Sequence, residues 1–143
     1  MSNNHFSLRQ ASWDRDHQAL LEIRKRVFID EQHVPKELEW DGLDQDAIHI
    51  LVLDSQNHPI GTGRRLPNGQ IGRMAVLYGW RNRGVGSAIL TRLMVSPSQA
   101  EGYPLFLNAQ VTAVKFYQRH GFHIVGPQFM DAGIIHYRME IEQ

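Results

Sequence analysis

Arg81-Asn82-Arg83-Gly84-Val85-Gly86-Ser87 gathers residue types that suit the holding of a phosphate. Glycines let a backbone come close to a ligand. The first turn of a helix offers unpaired N–H groups and a positive dipole end. Arg81 and Arg83 add charge-assisted donors. A pyrophosphate is the guest this pattern predicts, and a glycine turn with two solvated arginines is the alternative. The segment is no Walker loop, because no Gly-Lys-Ser/Thr follows, and the third glycine of a dinucleotide fingerprint is missing.

The elements around this loop must place it between a strand and a helix. Phe6 to Trp13 alternates and predicts a first strand. Asp14 to Asp16 opens a helix whose inward face carries Leu20, Ile23 and Val27, with Leu21 and Phe28 beside them. Pro35 and the acidic stretch to Asp46 read as an irregular loop. Ile48 to Leu53, Ile60 to Leu66 and Ile71 to Leu77 form three antiparallel strands, the last two joined by a tight turn at Pro67-Asn68-Gly69. A helix follows the loop, with Val85, Ile89, Leu93, Leu90 and Met94 on one side, and Ser96-Pro97 ends or kinks it. Tyr103 to Leu107 predicts a strand and Val111 to His120 a helix, closed by Gly121 as a left-handed cap. Phe122 to Val125 and Ile134 to Ile141 are the final strands. The order predicts a mixed α/β (α+β) sheet in one domain over residues 1–143.

Two blocks then carry a resemblance. Arg81-x-x-Gly84-x-Gly86, between a strand and a helix, resembles the coenzyme A pyrophosphate loop of the GNAT acetyltransferase superfamily. Phe116-Tyr117-Gln118-Arg119-His120-Gly121-Phe122 resembles that superfamily's Tyr-x-x-x-Gly-Phe block. Upstream, Arg24-Lys25-Arg26-Val27-Phe28, Glu31-Gln32-His33-Val34-Pro35 and the acidic loop with Glu39, Asp41, Asp44 and His49 are similar to the ElaA-like branch. Leu107-Asn108-Ala109-Gln110 is similar to it as well. The resemblance implies a GNAT fold, a mostly antiparallel sheet that is parallel at the cofactor cleft, with helices on both faces. It implies acetyl-CoA as cosubstrate and a primary amine as acceptor. The backbone at Met74, Ala75 and Val76 would pair with the pantetheine arm, Arg81 to Ser87 would hold the pyrophosphate, Phe116 would contact the cofactor, and Tyr117 would lie near its sulfur. Many members place an asparagine seven residues before the tyrosine. Here Gln110 stands there, with Asn108 two residues earlier, and both remain candidates for the cofactor contact.

The chemistry sets further demands. An alkylammonium near pKa ~10.4 needs roughly 4–5 kcal/mol to give a neutral amine at pH 7. The thioester oxygen needs a donor as charge develops on it. Tyr117 is the candidate donor to the departing sulfur, with a core aromatic as the alternative. Glu31, Asp41 and His49 are the candidate bases, and each also fits a structural role. Arg64 and Arg73 are candidates to order these carboxylates. The acidic stretch from Glu31 to Asp46 predicts attraction for a cationic acceptor. A coenzyme A-binding module without turnover is the rival reading, and an intact Tyr117 argues against it.

Composition excludes several classes. The 143-residue chain has no cysteine and a formal net charge of zero. That removes disulfides, thiol nucleophiles and any strong pull toward nucleic acid or membrane. It fits a reducing, cytoplasmic setting, and the polar start from Met1 to Gln10 does not read as a signal peptide. The eight histidines form no HExxH pair, so no metal site is predicted. The resemblance makes a homodimer a fair expectation. The strand from Ile134 to Ile141 would pair across a two-fold axis or close the chain's own sheet.

Overall fold

The computed structural model describes residues 5–95 and 104–141. Strand β1 (Phe6–Ala11) leads into helix α1 (Trp13–Arg24), which opens one residue earlier than the alternation suggests. Ser12 is the extended N-cap residue. Asp16 reaches back to accept the Ser12 N–H at 3.0 Å while Arg9 holds both its oxygens at 2.9 Å. Leu20, Ile23 and Val27 are buried and pack on Leu51 and Ala75.

Helix α1 runs on as a π-helical segment, Lys25–Glu31, with Gln32 N–H reaching Val27 O five residues back. The loop expected from Pro35 to Asp46 contains a short helix, α2 (Lys36–Glu39), started by Pro35. Strands β2 (Ile48–Asp54), β3 (Pro59–Arg65) and β4 (Gln70–Val76) pair antiparallel. Gly69, at φ 92°, turns the chain between β3 and β4.

Helix α3 (Val85–Val95) buries Val85, Ile89, Leu90 and Leu93 on Ile50, Val52, Ile60 and Ile71. In β2, Ile50 and Val52 thus face α3 while Leu51 faces α1, the period of two that a doubly covered sheet requires. Gly63 permits the close approach of α3, because a Cβ there would lie 2.6 Å from Ile89 Cγ2. The expected stop at Ser96-Pro97 and the strand start at Tyr103 lie outside the described residues.

Strand β5 (Phe106–Gln110) sits later than Tyr103 to Leu107. Val111–Ala113 makes one 3₁₀ turn before helix α4 (Val114–Arg119), and Gly121 at φ 94° ends it. β6 (Phe122–Ile124), β7 (Phe129–Asp131) and β8 (Ile134–Ile141) complete an eight-stranded sheet ordered β1-β2-β3-β4-β5-β8-β6, with β7 also on β8. β7 is absent from the sequence reading. Ala132 (φ 52°) and Gly133 (φ 77°) join it to β8 as a two-residue hairpin with both central residues left-handed. Because β8 pairs with β5 on one side and with β6 and β7 on the other, its edges are used within the chain.

Candidate active site

Among the described residues β4 and β5 are the one parallel pair, and they pair through Gln70↔Phe106 and Ile71↔Leu107. Beyond Ile71 the strands diverge. In α/β sheets such a crevice at the carboxyl ends of parallel strands is where ligands bind. A bulge starts the divergence. Arg64 faces Gly72 and Thr62 faces Ala75, so Arg73 and Met74 share one position opposite β3. Arg73 takes φ 49° there, and the extra residue bends the strand. Leu77 N–H donates to Ile60 O at 2.9 Å. By alternation Ala75 also turns to β3, and Val76 turns away from it. Val76 O accepts Arg81 Nε at 2.9 Å, and the Val76 N–H faces the open side.

The loop after β4 lies at the end of this edge. Asn82 (φ 63°) and Gly84 (φ 85°) set its path. Ala88 N–H closes the first helical bond to Gly84 O at 3.0 Å. The N–H groups of Val85, Gly86 and Ser87 therefore have no partner within the helix. A Cβ on Gly84 would meet nothing within 4 Å, whereas one on Gly86 would meet Phe116 Cζ at 3.4 Å. Arg83 lies over Trp80 at 5.1 Å and Arg81 over Tyr78 at 5.5 Å. Ser87 Oγ bonds His120 Nε2 at 3.0 Å.

The cleft holds about 230 Å³, and Met74, Asn108, Gln110, Tyr117, Arg73 and Glu39 are among its walls. Tyr117 stacks edge-on between Phe116 and Phe122, and its hydroxyl points at Met74 Sδ, 3.7 Å away. Burial pushes its phenol up to about 12. Gln110 bonds Gln32 at 2.8 Å and so links β5 to the π-helical segment across the cleft. Asn108 is exposed at the same wall.

The three other expected groups sit apart from these walls. Glu31 pairs with Arg81 at 2.8 Å. Asp41 pairs with Arg64 and, at 3.2 Å, with Arg73. Partial burial opposes its ionisation, but the bonds from Arg64 and Leu43 N–H and the two guanidinium charges prevail and hold it at about 2. His49 is 1% exposed, stacks on Trp13, and donates Nε2–H to Asp44 O at 2.9 Å. Burial lowers its pKa.

A buried charge network lies behind the cleft. Arg24 binds Glu39 and, at 2.7 Å, Asp44; Arg64 binds Asp44 at 2.8 Å as well as Asp41. Arg73 donates to Leu38 O and Glu39 O and keeps its Nε 3.5 Å from Glu39. Three guanidiniums thus match the carboxylates of Glu39, Asp41 and Asp44. The attraction for a cation expected from this loop is cancelled at those positions, because the partners lie far away in sequence. Among the described residues no three His, Asp or Glu side chains converge as a metal would need, and no helix is long and apolar enough to cross a membrane.

The cleft has further walls beyond the expected residues. Phe28 and Gln32 reach the cleft through the π-helical widening. Asp131 and His136 reach it from the β7–β8 hairpin. The one available signal is register: His136 faces Gln110 and Arg138 faces Asn108 on one side of the sheet.

Comparison with known proteins gives a consistent picture. A family model described as an acetyltransferase (GNAT) domain matches residues 10–143. An uncharacterized N-acetyltransferase of Bacillus subtilis (strain 168), YjcF, is 39% identical over 121 residues, covering 82% of this chain and 86% of its own. The crystal structure of Escherichia coli ElaA superposes with a TM-score of 0.84 at 26% identity, over 96% of this chain and all of that one. A GNAT family acetyltransferase from Elizabethkingia anophelis, with acetyl-CoA bound, shares the fold at TM-score 0.68 and 17% identity, over the full length of both chains.

Proposed function

Because the chain belongs to the GNAT acetyltransferase family, we propose that it moves an acetyl group from acetyl-CoA to a primary amine, on a small molecule or a protein, by direct attack with both substrates bound. Residues 1–143 act as one domain in this reading. One observation supports it above the rest: the open edge of β4 and the bare first turn of α3 adjoin one cleft, and Tyr117 lines it.

Acetyl-CoA supplies a thioester carbonyl open to a neutral amine. The N–H groups of Val85, Gly86 and Ser87, with Arg81, Asn82 and Arg83 beside them, bind the pyrophosphate, and the missing Cβ at Gly84 leaves room for it. Met74 and Val76 present backbone groups along the open edge, where an amide-bearing arm adds as a strand. Ala75 turns to Thr62 and anchors that edge. An N–H on this edge also holds the charge that grows on the carbonyl oxygen. Asn108 and Gln110 bound the other wall.

Tyr117 acts as a hydrogen-bond donor to the departing sulfur. With its phenol near 12 and a thiol at its ordinary ~8.5, full proton transfer is uphill by roughly 5 kcal/mol, so donation of a hydrogen bond is the workable role. Asp41 makes a poor base. Taking a proton from an amine near ~10.4 onto a carboxylate near 2 costs roughly 11 kcal/mol. We assign Asp41 and His49 to the architecture of the loop and Glu31 to the setting of Arg81.

A panel of primary amines, followed by release of free thiol, tests the reading. Turnover with at least one amine is expected, and Tyr117→Phe should lose about 10-fold or more in kcat while keeping its acetyl-CoA affinity. Wild-type binding of acetyl-CoA without turnover on any amine would favour a binding module instead.

A further inference from the structure

We propose that His136 is the base that takes the proton from the acceptor amine, an assignment that rests on the acetyl-transfer reading above. His136 lies on β8, buried at 8% exposure, and lines the cleft that Tyr117 also lines. Two contacts pin its ring. It stacks on Phe129 of β7 at 5.7 Å and 24°, and its Nδ1 lies 2.7 Å from the Ile134 carbonyl oxygen. A carbonyl only accepts, so Nδ1 carries the proton and the neutral ring keeps its lone pair on Nε2. Among the described residues Nε2 has no hydrogen-bond partner, nor is it a sealed, buried orphan. An imidazole held in one tautomer, with an unbonded and unsealed basic nitrogen on a residue that lines the cleft, is the arrangement a general base needs.

The other histidines of the described fold offer less. His49 spends Nε2 on Asp44 O, and His120 spends it on Ser87. The groups that share the cleft with His136 are Asp131 from β7, Arg73 from β4, Glu39 from α2 and Tyr117 from α4. β5 presents only the uncharged Gln110 and Asn108. Arg138 and Glu140, further along β8, pair with one another at 3.0 Å, and His123 of β6 stands opposite Glu140. Glu39 and Arg73 are already engaged with partners, which leaves Asp131 as the carboxylate free to steady an incoming ammonium. In the step itself an ammonium N–H bond breaks and an Nε2–H bond forms. The freed amine lone pair attacks the thioester carbon, and the proton on Nε2 leaves to water after the products part. The proton the amine sheds on acylation ends on the sulfur.

Two measurements test this. Long-range proton–nitrogen spectra of the protein alone should show His136 protonated at Nδ1 and bare at Nε2 in its neutral form; a proton on Nε2 would overturn the assignment. In kinetics, His136→Asn keeps a donor where Nδ1 stands and deletes Nε2, and His136→Gln serves as a second variant. With spermidine, tyramine and Nα-acetyl-lysine methyl ester as probe amines, kcat/KM should fall 10²–10⁴-fold at pH 7. The acid limb of the pH profile should disappear, with acetyl-CoA affinity and thermal midpoint close to wild type. A variant that keeps the wild-type acid limb sinks the role of His136 and leaves the acetyl-transfer reading standing. A wild type that binds no acetyl-CoA, or binds it and acetylates none of the three probes, removes both.

Discussion

Replacing Arg24 with Met removes the cation that, among the described residues, touches both Glu39 and Asp44. Arg24 is 1% exposed, Glu39 is 2% exposed, and Asp44 is buried beside them. Breaking a buried pair from one side costs about 3–5 kcal/mol, because the remaining charge stays buried without compensation. Arg64 still binds Asp44, and Arg73 Nε still stands 3.5 Å from Glu39. The loss should therefore sit at the low end, about 3 kcal/mol, or roughly 10 °C in thermal midpoint for a chain of this size. Urea unfolding at pH 7 reads it directly. Adding Glu39→Gln removes the stranded carboxylate, and the double variant should regain about 1–2 kcal/mol relative to Arg24→Met alone. A loss below about 1 kcal/mol, or a double variant weaker than Arg24→Met alone, would refute the reasoning that Arg24 compensates the buried charges of Glu39 and Asp44.

Packing and charge set two further outcomes. Gly63→Ala places a methyl 2.6 Å from Ile89 Cγ2 and 3.0 Å from Leu93 Cδ1, so it should cost about 1–3 kcal/mol by overpacking; urea unfolding checks it, and an unchanged midpoint would contradict the packing of α3 on β3. Acid should unfold the protein through its arginine-bound aspartates. The bond to Arg9 holds Asp16 below the usual carboxylate range, and Arg24 and Arg64 lower Asp44 against the cost of its burial. Asp41 lies at about 2 against an ordinary 3.8. Each folded value is depressed, so this stability is present above the unfolded value and is lost as pH falls from about 5 through about 2, with Asp41, an exposed residue whose pairing solvent screens, contributing about 1 kcal/mol or less. Asp41→Asn should flatten that part of the stability–pH curve.

Much of the frame was legible because it depends on local signals. The Asn68-Gly69 turn, the short apolar run of β2 and the glycine loop before α3 all report on their own neighbourhoods. The resemblance added the family and the parallel seam between β4 and β5. What escaped depends on distant partners. The bulge at Arg73 and Met74 leaves no local mark, since an arginine at positive φ is held there by the strand opposite and by its bonds to Leu38 O and Glu39 O. The pairing of Arg24 with Glu39 and Asp44 spans 15 and 20 residues, so composition showed an acidic loop where the fold contains a neutralised one. His136 read as an ordinary strand residue, because its neighbours on the cleft wall come from β5, β7 and the π-helical segment. The hairpin at Ala132-Gly133 was missed because Ala is an uncommon residue at a left-handed turn position.

Calorimetric titration with acetyl-CoA tests the central claim most directly, with wild type, Arg81→Ala and Gly84→Asp compared. Gly84 has open space at its Cβ position, so the aspartate fits sterically, at a modest backbone cost for its positive φ, and sets a carboxylate where the pyrophosphate belongs. Wild type should bind in the micromolar range, Arg81→Ala should weaken binding about 10-fold or more, and Gly84→Asp about 100-fold or more. Absence of binding by the wild type, or equal binding by all three proteins, would contradict the assignment of this loop and with it the proposed acetyl transfer.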